Sequence, residues 1–455
     1  MKYRIAHIGS FDVENYGDLL FSDVLKAQLE KRIEIEEIIY FAPKHCVMPN
    51  RDITVYSVTE LEEMAEKTRI DAIIVGGGDF IYMDMIRTYM PHVSKDWMVY
   101  EMPYMWMIPS LVAYRYSIPL FWNAVGVPKE FTDEQKGIVA YLCEAIDYIT
   151  VRDEEAYRTL AEALRHKEIS VVPDTVLSIR NIVSKQELGE QFEELGLNFE
   201  KNRYIFFQCN LSNYEMYCQE YVNALKTIAT EKGWKVLLQP IGYALGDEGV
   251  LEDLAKCCPD EFIYSPRHFT QYEILALIAN AGMYIGTSLH GGITANSYGV
   301  KNIILNTNHY NKIYGFADIV GIRDTVIDNP AQILSVYYKL TEPQEERIAE
   351  AIKKIDCHFD IIASLVRTQK KLSVYASKKL VDYIYQNTHM IETLKLEKEA
   401  VESKAERSER ELLKVEKTME LYKKEYEAIL NSKAWKITKP MRKALDRIKK
   451  KNHKL

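Results

Sequence analysis

Short apolar runs alternate with helical patterns along the first 342 residues, and this alternation limits the fold more than any other feature of the sequence. The runs include YRIAHIG at 3–9, DAIIVGGG at 71–78 and MYIGTS at 283–288. Apolar runs of about four to eight residues that are separated by helices are typical of parallel sheets covered by helices on both faces. The sequence therefore predicts an α/β fold with doubly wound sheets.

The alternation occurs twice along the chain. A first series ends with DYITVRD at 147–153, and a second begins with RYIFFQCN at 203–210, after a polar stretch. A chain of 455 residues is also too long for one ordinary core. We predict an N-terminal Rossmann-like domain at residues 1–182 and a C-terminal Rossmann-like domain at 200–342. Such domains bind ligands in the cleft outside the carboxyl ends of their strands.

The strand patterns stop after about residue 342. Apolar residues then recur at alternating spacings of three and four from Leu380 to Ile429, with dense Glu and Lys between them. This heptad pattern predicts a helical extension and coiled coil at 343–430, and through it a homo-oligomer. A single long solvated helix is the alternative interpretation. We assign residues 431–455 to a separate basic tail.

Charge is distributed unevenly along the chain. The formal net charge is −8, yet ten Lys or Arg against one acid at 432–455 give that segment about +9 and leave about −17 on the rest. A body this acidic argues against a nucleic-acid-binding protein. The basic segment carries Trp435, Ile437 and Met441 among its lysines, a pattern that predicts contact with a membrane surface. A solvated basic tail is the alternative.

The cysteine pattern indicates a reducing compartment. There are seven cysteines, no CxxC occurs, and no Cys/His pair has zinc-finger spacing. We therefore predict free thiols, no metal site and a cytoplasmic protein, held at the inner face of the membrane if the tail binds there. The N-terminal run that contains His7 predicts a buried strand rather than a signal peptide. The apolar stretch Tyr104–Val127 contains Arg115 and two prolines, which argues against a transmembrane helix.

A turn follows the first predicted strand, in FDVENYGDLL. Asn15 and Gly17 form the turn, and Asp18 is expected to cap the helix that follows. A strand, turn and helix start of this kind presents backbone N–H groups that can bind an anion. An ordinary connection between strand and helix has the same pattern.

A glycine-rich strand end follows in IIVGGGDF. Gly76, Gly77 and Gly78 let a ligand or another backbone approach closely. The segment has neither the GK[ST] of a P-loop nor the GxGxxG of a dinucleotide site, so nucleotide hydrolysis and nicotinamide cofactors are poor candidates.

Two charged positions follow later strands. Arg152 and Asp153 end the run ITVRD, and Asp174 follows another apolar pair. The Arg152 guanidinium at a strand end can clamp a phosphate or a carboxylate. The alternative is a structural ion pair at a helix start, with Asp153 as the helix cap.

A histidine stands between a strand and a helix in GTSLHGG. His290 is expected at the helix start, where the dipole favours an anion, with the Ser288 hydroxyl and the Gly291 N–H as further donors. Together they have the chemistry of a phosphate cradle with a proton-transfer group. A structural histidine is the alternative. Lys312 can reach the same cleft, unless its loop lies only at the surface.

Taken in order, these motifs resemble the polysaccharide pyruvyl transferase family over about residues 3–325. The resemblance rests on the elements Asn15-Tyr16-Gly17-Asp18, Gly76-Gly77-Gly78, Val151-Arg152-Asp153, Asp174, Ser288-Leu289-His290-Gly291 and Lys312. It implies two Rossmann-like domains in a GT-B-like arrangement. It also implies transfer of a pyruvyl group from phosphoenolpyruvate to a pair of sugar hydroxyls, without cofactor or metal.

The resemblance implies a role for each cation and for the histidine. His290 would be the acid–base catalyst, while Arg152 and Lys312 would bind the anionic groups of the donor. Arg267 and His268, in YSPRHFT, are further candidates for donor binding.

One position departs from the family pattern. Family members carry an arginine where this chain has Ser288, which leaves the donor open between phosphoenolpyruvate and another compound. We predict a transferase that modifies a cell-surface or capsular polysaccharide while the glycan is lipid-linked. The tail segment SKAWKITKPMRK resembles one found after coiled coils in bacterial envelope glycosyltransferases. Two alternatives stay open: a GT-B-type glycosyltransferase that uses a nucleotide sugar, and a non-catalytic coiled-coil scaffold in glycan assembly.

Overall fold

The computed structural model describes residues 1–83, 103–243 and 247–368, together with six isolated helical residues between 404 and 424. The chain divides into a compact unit, Met1–Val374, and a second unit, Tyr375–Leu455. The fold described below is that of the first unit. Apart from the six isolated residues, the predicted coiled coil and basic tail lie outside the described residues and stay predictions. The domain boundaries at 182 and 200 also stay a prediction.

The described residues contain fourteen strands. In chain order they are β1 (Tyr3–Ile8), β2 (Ile35–Ala42), β3 (Cys46–Val47), β4 (Thr54–Ser57), β5 (Ala72–Gly76), β6 (Leu120–Asn123), β7 (Ile149–Val151), β8 (Ile169–Val171), β9 (Tyr204–Gln208), β10 (Lys235–Leu238), β11 (Phe262–Tyr264), β12 (Met283–Gly286), β13 (Asn302–Leu305) and β14 (Val326–Ile327).

The described residues also contain thirteen α-helices. In chain order they are α1 (Tyr16–Glu30), α2 (Leu61–Lys67), α3 (Tyr104–Tyr116), α4 (Asp133–Cys143), α5 (Glu154–Ala163), α6 (Lys185–Glu194), α7 (Leu211–Lys232), α8 (Asp247–Cys257), α9 (Gln271–Ala279), α10 (Leu289–Ser297), α11 (Asn311–Val320), α12 (Ile333–Tyr337) and α13 (Glu345–Thr368). Thr132, Ser184 and Thr270 start α4, α6 and α9 with capping boxes. Within the described ranges, no helix is both long and apolar enough to cross a membrane.

The first sheet has the strand order β3-β4-β2-β1-β5-β6. Its neighbouring strands are parallel except for β3 and β4, which are antiparallel. A further parallel pair, β7 and β8, is joined to the β6 edge by bridges from Phe121 to Tyr148 and from Val125 to Val151. The strand order reverses between β1 and β5, so the loops after these two strands flank a topological switch point.

The second sheet has the order β11-β10-β9-β12-β13-β14 and is parallel throughout. Every residue of β9, β12 and β13 is buried, as a parallel sheet covered on both faces requires. The strand order reverses between β9 and β12, which makes the loop after β12 part of a second switch point. The predicted α/β fold with parallel sheets is confirmed.

One apolar core joins helices from both halves of this unit. A single cluster of buried side chains includes Leu25 of α1, Ile278 of α9, Ile293 of α10 and Ile355 of α13. The first half of the unit is built around the first sheet and the second half around the second sheet. Because the cluster spans elements of both, the two halves share one core, in addition to the cleft described below.

Helix α13 follows the second sheet in the chain and packs against α11 of the second half, and also against α1 and the 3-10 helix Thr175–Asn181 of the first half. The Nε atom of Arg32 lies 2.6 Å from Oδ1 of Asp360. In the contact between α13 and the end of β6, Nε2 of His358 lies 2.9 Å from Oδ1 of Asn123, the last residue of β6. The chain therefore closes back onto its own N-terminal half.

Candidate active site

The loops after β1, β5 and β7 meet the loops after β12 and β13 at the carboxyl edges of the two sheets. The Nζ atom of Lys312, on α11, lies 2.9 Å from Oδ2 of Asp79, which follows β5. Gly17, in the first turn of α1, lies against the ring of His290, in the first turn of α10. We call the side chains brought together here the cleft cluster. Its members are Gly17, Asp18, Asp79, Arg152, Asp153, Asp174, His290 and Lys312.

Asp79 links the two cations of the cleft cluster. Its Oδ1 atom accepts a hydrogen bond from the Arg152 guanidinium, and its Oδ2 atom pairs with Lys312. Gly77 and Gly78 precede it with φ values of +82° and +125°, a region that side chains rarely adopt. The glycines thereby allow the backbone to turn between β5 and Asp79. Asp79 is absent from the predicted site residues, although an acid directly after a glycine-rich strand end is a signal that would find it.

Arg152 is buried and faces three carboxylates. Besides Asp79, its Nε atom lies 3.7 Å from Oδ2 of Asp153 and its Nη1 atom lies 4.0 Å from Oδ2 of Asp174. Asp153 also caps α5, since it accepts a hydrogen bond from N of Ala156 at 2.8 Å. Asp174 caps the 3-10 helix that follows it. The structural ion pair of Arg152 and the helix cap at Asp153, which the sequence left open, are therefore both present. Arg152 also faces the cleft.

His290 lies in the first turn of α10, as predicted. Ser288 caps this helix, since its Oγ atom accepts a hydrogen bond from N of Gly291 at 3.3 Å. The Nε2 atom of His290 lies 3.7 Å from Oδ2 of Asp174, which is too long for a hydrogen bond. Within the described residues, neither of these two buried atoms has a hydrogen-bond partner. A polar ligand group beside them would therefore pair with atoms that the fold leaves available.

The ring of His290 is held by close packing. Phe21 meets it edge-on, with the ring centroids 5.2 Å apart. A Cβ atom at Gly17 would overlap the imidazole. The absence of a side chain at position 17 is what lets α1 and α10 bring their first turns together.

Asp18 lies beside His290 but does not cap α1, so that prediction is wrong. The cap is Asn15, whose backbone is extended and whose side chain accepts a hydrogen bond from N of Gly17 at 3.3 Å. Asp18 is already inside the first turn. Burial raises the pKa of Asp18 to about 6, and the neighbouring His290 and Lys312 oppose this rise.

Two of the predicted site glycines serve close packing. A Cβ atom on Gly291 would meet the hydroxyl of Tyr284, and one on Gly76 would meet the backbone of Asn123. The N–H of Gly291 donates to Ser288, which corrects the expectation of an N–H open to a ligand.

Arg267 and His268 have partners away from the cleft cluster. The Arg267 side chain is 53% exposed and pairs with Glu273. The Nε2 atom of His268 lies 2.7 Å from Oε1 of Glu248, and its ring stacks on Tyr243. Across residues 1–83, 103–243 and 247–368, no recorded contact joins either side chain to the cleft cluster. Their role in donor binding stays a prediction.

The four aspartates of the cleft cluster outnumber its two permanent cations, Arg152 and Lys312. An anionic ligand must therefore displace a carboxylate from a cation, or bind while a carboxylate takes up a proton. In the part of the chain that the structure describes, no group of three or more His, Cys, Asp or Glu side chains is arranged to hold a metal ion.

The fold is similar to that of solved UDP-N-acetylglucosamine 2-epimerases. The TM-score is 0.52 for the enzyme of Methanocaldococcus jannaschii, at 14% identity over 81% of this chain and 100% of that chain. It is 0.51 for the enzyme of Rickettsia bellii, at 14% identity over 81% and 98%. It is 0.50 for the enzyme of Neisseria meningitidis bound to UDP-GlcNAc, at 11% identity over 81% and 99%. At these identities the likeness shows a shared GT-B-like fold alone.

Sequence comparison identifies the family. A search of curated proteins found no match. The family model described as polysaccharide pyruvyl transferase matches residues 15–309, about two thirds of the chain. The matched range contains every member of the cleft cluster except Lys312. The chain belongs to the polysaccharide pyruvyl transferase family.

Proposed function

We propose that this chain transfers a pyruvyl group from phosphoenolpyruvate to a pair of hydroxyls on a polysaccharide sugar. The observation that carries the proposal is the position of His290. Its Nε2 atom faces Asp174 across 3.7 Å, in the same cluster as the cations Arg152 and Lys312. Within the family to which the chain belongs, this arrangement combines a proton-transfer group with two anion-binding groups.

The pairing of Asp79 supports an anionic donor. One carboxylate contacts Arg152 from the first half and Lys312 from the second half. The carboxylate of phosphoenolpyruvate has the same shape and charge, and its phosphate carries further charge for the same cations. We propose that the donor takes the place of Asp79 between these two side chains.

His290 would accept the proton of the attacking sugar hydroxyl. Its Nε2 atom is buried and has no hydrogen-bond partner among the described residues, so a substrate hydroxyl that reached it would supply the missing partner. The Asp174 carboxylate at 3.7 Å would stabilise the imidazolium that forms.

Phosphate release tests the proposal. The protein is incubated with phosphoenolpyruvate and a panel of sugar acceptors, including lipid-linked glycans, because the basic tail at 431–455 predicts contact with a membrane surface. We expect acceptor-dependent release of phosphate by the native chain and a decrease in kcat of about 10² to 10⁴-fold in His290→Ala, the usual range for loss of an acid–base group. Mass spectrometry of the acceptor should show the added pyruvyl group.

His45→Ala is the matched control. His45 is 53% exposed and pairs with Glu60, outside the cleft cluster, so its loss should leave kcat unchanged. Full activity of His290→Ala would contradict the catalytic role. Thermal stabilisation by a nucleoside diphosphate but not by phosphoenolpyruvate would favour a glycosyltransferase that uses a nucleotide sugar. Stabilisation by neither, with no turnover, would favour a non-catalytic scaffold.

A further inference from the structure

Asp18 differs from the other three carboxylates of the cleft cluster. Asp79 holds two cations, while Asp153 and Asp174 each cap a helix and face Arg152. Within the described parts of the chain, the Asp18 carboxylate makes no hydrogen bond or ion pair. It is partly exposed, and it stands in the first turn after β1, at the switch point of the first sheet.

Gly78 lies beside the Asp18 carboxylate. A Cβ atom at Gly78 would lie 3.7 Å from Oδ1 of Asp18, an ordinary contact distance, so the carboxylate borders the glycine-rich strand end. The titratable and charged groups that act on it are His290 of α10, when it is protonated, and Lys312 of α11, which favour the carboxylate, and Asp12 and Asp79, which favour the protonated acid. Burial is the largest effect and raises the pKa of Asp18 to about 6.

We propose that Asp18 is the acid that protonates the methylene carbon of phosphoenolpyruvate, while His290 receives the proton of the sugar. This role rests on the proposed pyruvyl transfer. That reaction needs an acid for carbon and a base for oxygen, and a pair of titratable groups in different environments is how enzymes separate two such tasks. Asp18 follows Gly17, which lies against the His290 ring, and both titratable residues stand in the first turns of helices that come from opposite halves of the molecule.

Each of the two side chains ends the transfer in the protonation state in which it began. The π electrons of the C2=C3 bond take the proton of the Asp18 carboxyl, so that C3 becomes a methyl group and C2 becomes electron-deficient. A sugar hydroxyl oxygen bonds to C2 and gives its proton to His290. The second hydroxyl oxygen then bonds to C2, the C2–O bond to phosphate breaks with its electron pair, and the second hydroxyl proton returns to Asp18. His290 passes its proton to the departing phosphate, which restores both side chains.

The donor itself would bring Asp18 into its acid form. Phosphoenolpyruvate adds negative charge beside a carboxylate, and nearby negative charge raises the pKa of a carboxyl group further. In the donor complex, Asp18 would therefore hold a proton at a higher pH than it does alone. Since the acid form is the reactive one, kcat should fall as the pH rises through the pKa of the complex.

Asp18→Asn tests the role, with Glu14→Gln as the matched control. Glu14 is a half-buried acid of the same loop, outside the cleft cluster. We expect Asp18→Asn to lower kcat about 10² to 10⁴-fold, to leave the KM for phosphoenolpyruvate unchanged or lower, and to remove the high-pH decline of kcat. Glu14→Gln should keep the native kcat and the native pH profile. Asp18→Glu, which keeps the acid, should recover part of the activity.

Three outcomes distinguish the role of Asp18 from the pyruvyl transfer itself. If Asp18→Asn keeps kcat within about tenfold of the native value, or keeps the high-pH decline, Asp18 is not the acid. If its kcat falls and its KM rises while Asp18→Glu recovers nothing, the side chain is structural. If the native chain releases no phosphate with any acceptor, the proposed function fails, and with it the reaction that this role requires.

Discussion

Asp79 is an anion of the protein itself at the position proposed for the anion of the donor. The carboxylate contacts both Arg152 and Lys312, so a donor gains these cations only by breaking two ion pairs. We expect Asp79→Asn to lower the KM for phosphoenolpyruvate by about tenfold, equivalent to one lost charge-assisted contact of about 1.4 kcal/mol. Initial rates of phosphate release at varied donor concentration give this KM.

Asp23→Asn is the matched control for Asp79→Asn. Asp23 also pairs with an arginine, with Nη2 of Arg51 at 2.6 Å from Oδ2, and it is similarly buried, but it lies outside the cleft cluster. Its loss should leave the donor KM unchanged. An increase of KM in Asp79→Asn would show instead that the carboxylate positions the two cations.

Single residues show how far a sequence predicts a site. Arg152, His290 and Lys312 carry charges or titratable groups next to strand ends, so position and residue type together mark them. The pairing of Arg152 and Lys312 with Asp79 joins residues that are 73 and 233 positions apart, and no local pattern contains that information. The prediction that Asp18 caps α1 is wrong for a local reason. Asn15 and Asp18 are both good capping residues, and only the backbone geometry shows which of them is the cap.

At the scale of elements, the approach of α1 to α10 depends on a glycine. We expect Gly17→Ala to lower the free energy of unfolding by about 1–3 kcal/mol, the usual cost of overpacking, because the added methyl group overlaps the His290 ring. It should also lower phosphate release, since the ring must move. Urea unfolding and the phosphate assay measure the two effects.

Gly137→Ala is the matched control for Gly17→Ala. Gly137 lies within α4, and a Cβ atom there meets nothing within 4 Å. Alanine should therefore raise the free energy of unfolding by about 0.5–1 kcal/mol through helix propensity alone. Equal changes in the free energy of unfolding for the two substitutions would contradict the close contact between Gly17 and His290.

Elements differ in how strongly the sequence marks them. Strands β5, β9 and β12 are fully buried, so their continuous apolar runs predict them. Strands β3 and β14 have two residues each, which is too short for any pattern. Helix α6 lies in the polar stretch expected to separate two domains, and its capping box at Ser184 and Glu187 is the signal that identifies it.

At the scale of the whole molecule, the packing of α13 makes the free energy of unfolding depend on pH, because α13 carries the buried His358. Burial lowers the pKa of His358 to about 3, whereas an unfolded histidine has a pKa of about 6.5. Between these values the unfolded chain binds a proton that the folded chain excludes, so the free energy of unfolding falls as the pH falls below about 6.5. The loss from this group is about 2 kcal/mol at pH 5.

His358→Gln tests this linkage. The amide can still hydrogen bond near Asn123 but does not titrate, so the variant lacks the acid-dependent loss. We expect the native chain to exceed the variant in free energy of unfolding at pH 7.5, and this difference to shrink by about 2 kcal/mol at pH 5. Urea unfolding at both values measures it. The same difference at both values would contradict a neutral, buried imidazole.

The position of α13 also has a consequence for synthesis on the ribosome. Its apolar face, which includes Ile355 and Phe359, covers α1 and the 3-10 helix Thr175–Asn181. At roughly 5–20 residues per second, on the order of ten seconds separate the release of that 3-10 helix from the release of α13. During this interval the nascent N-terminal half exposes an apolar surface that α13 covers in the folded protein, and we expect chaperones that bind apolar surfaces to bind it.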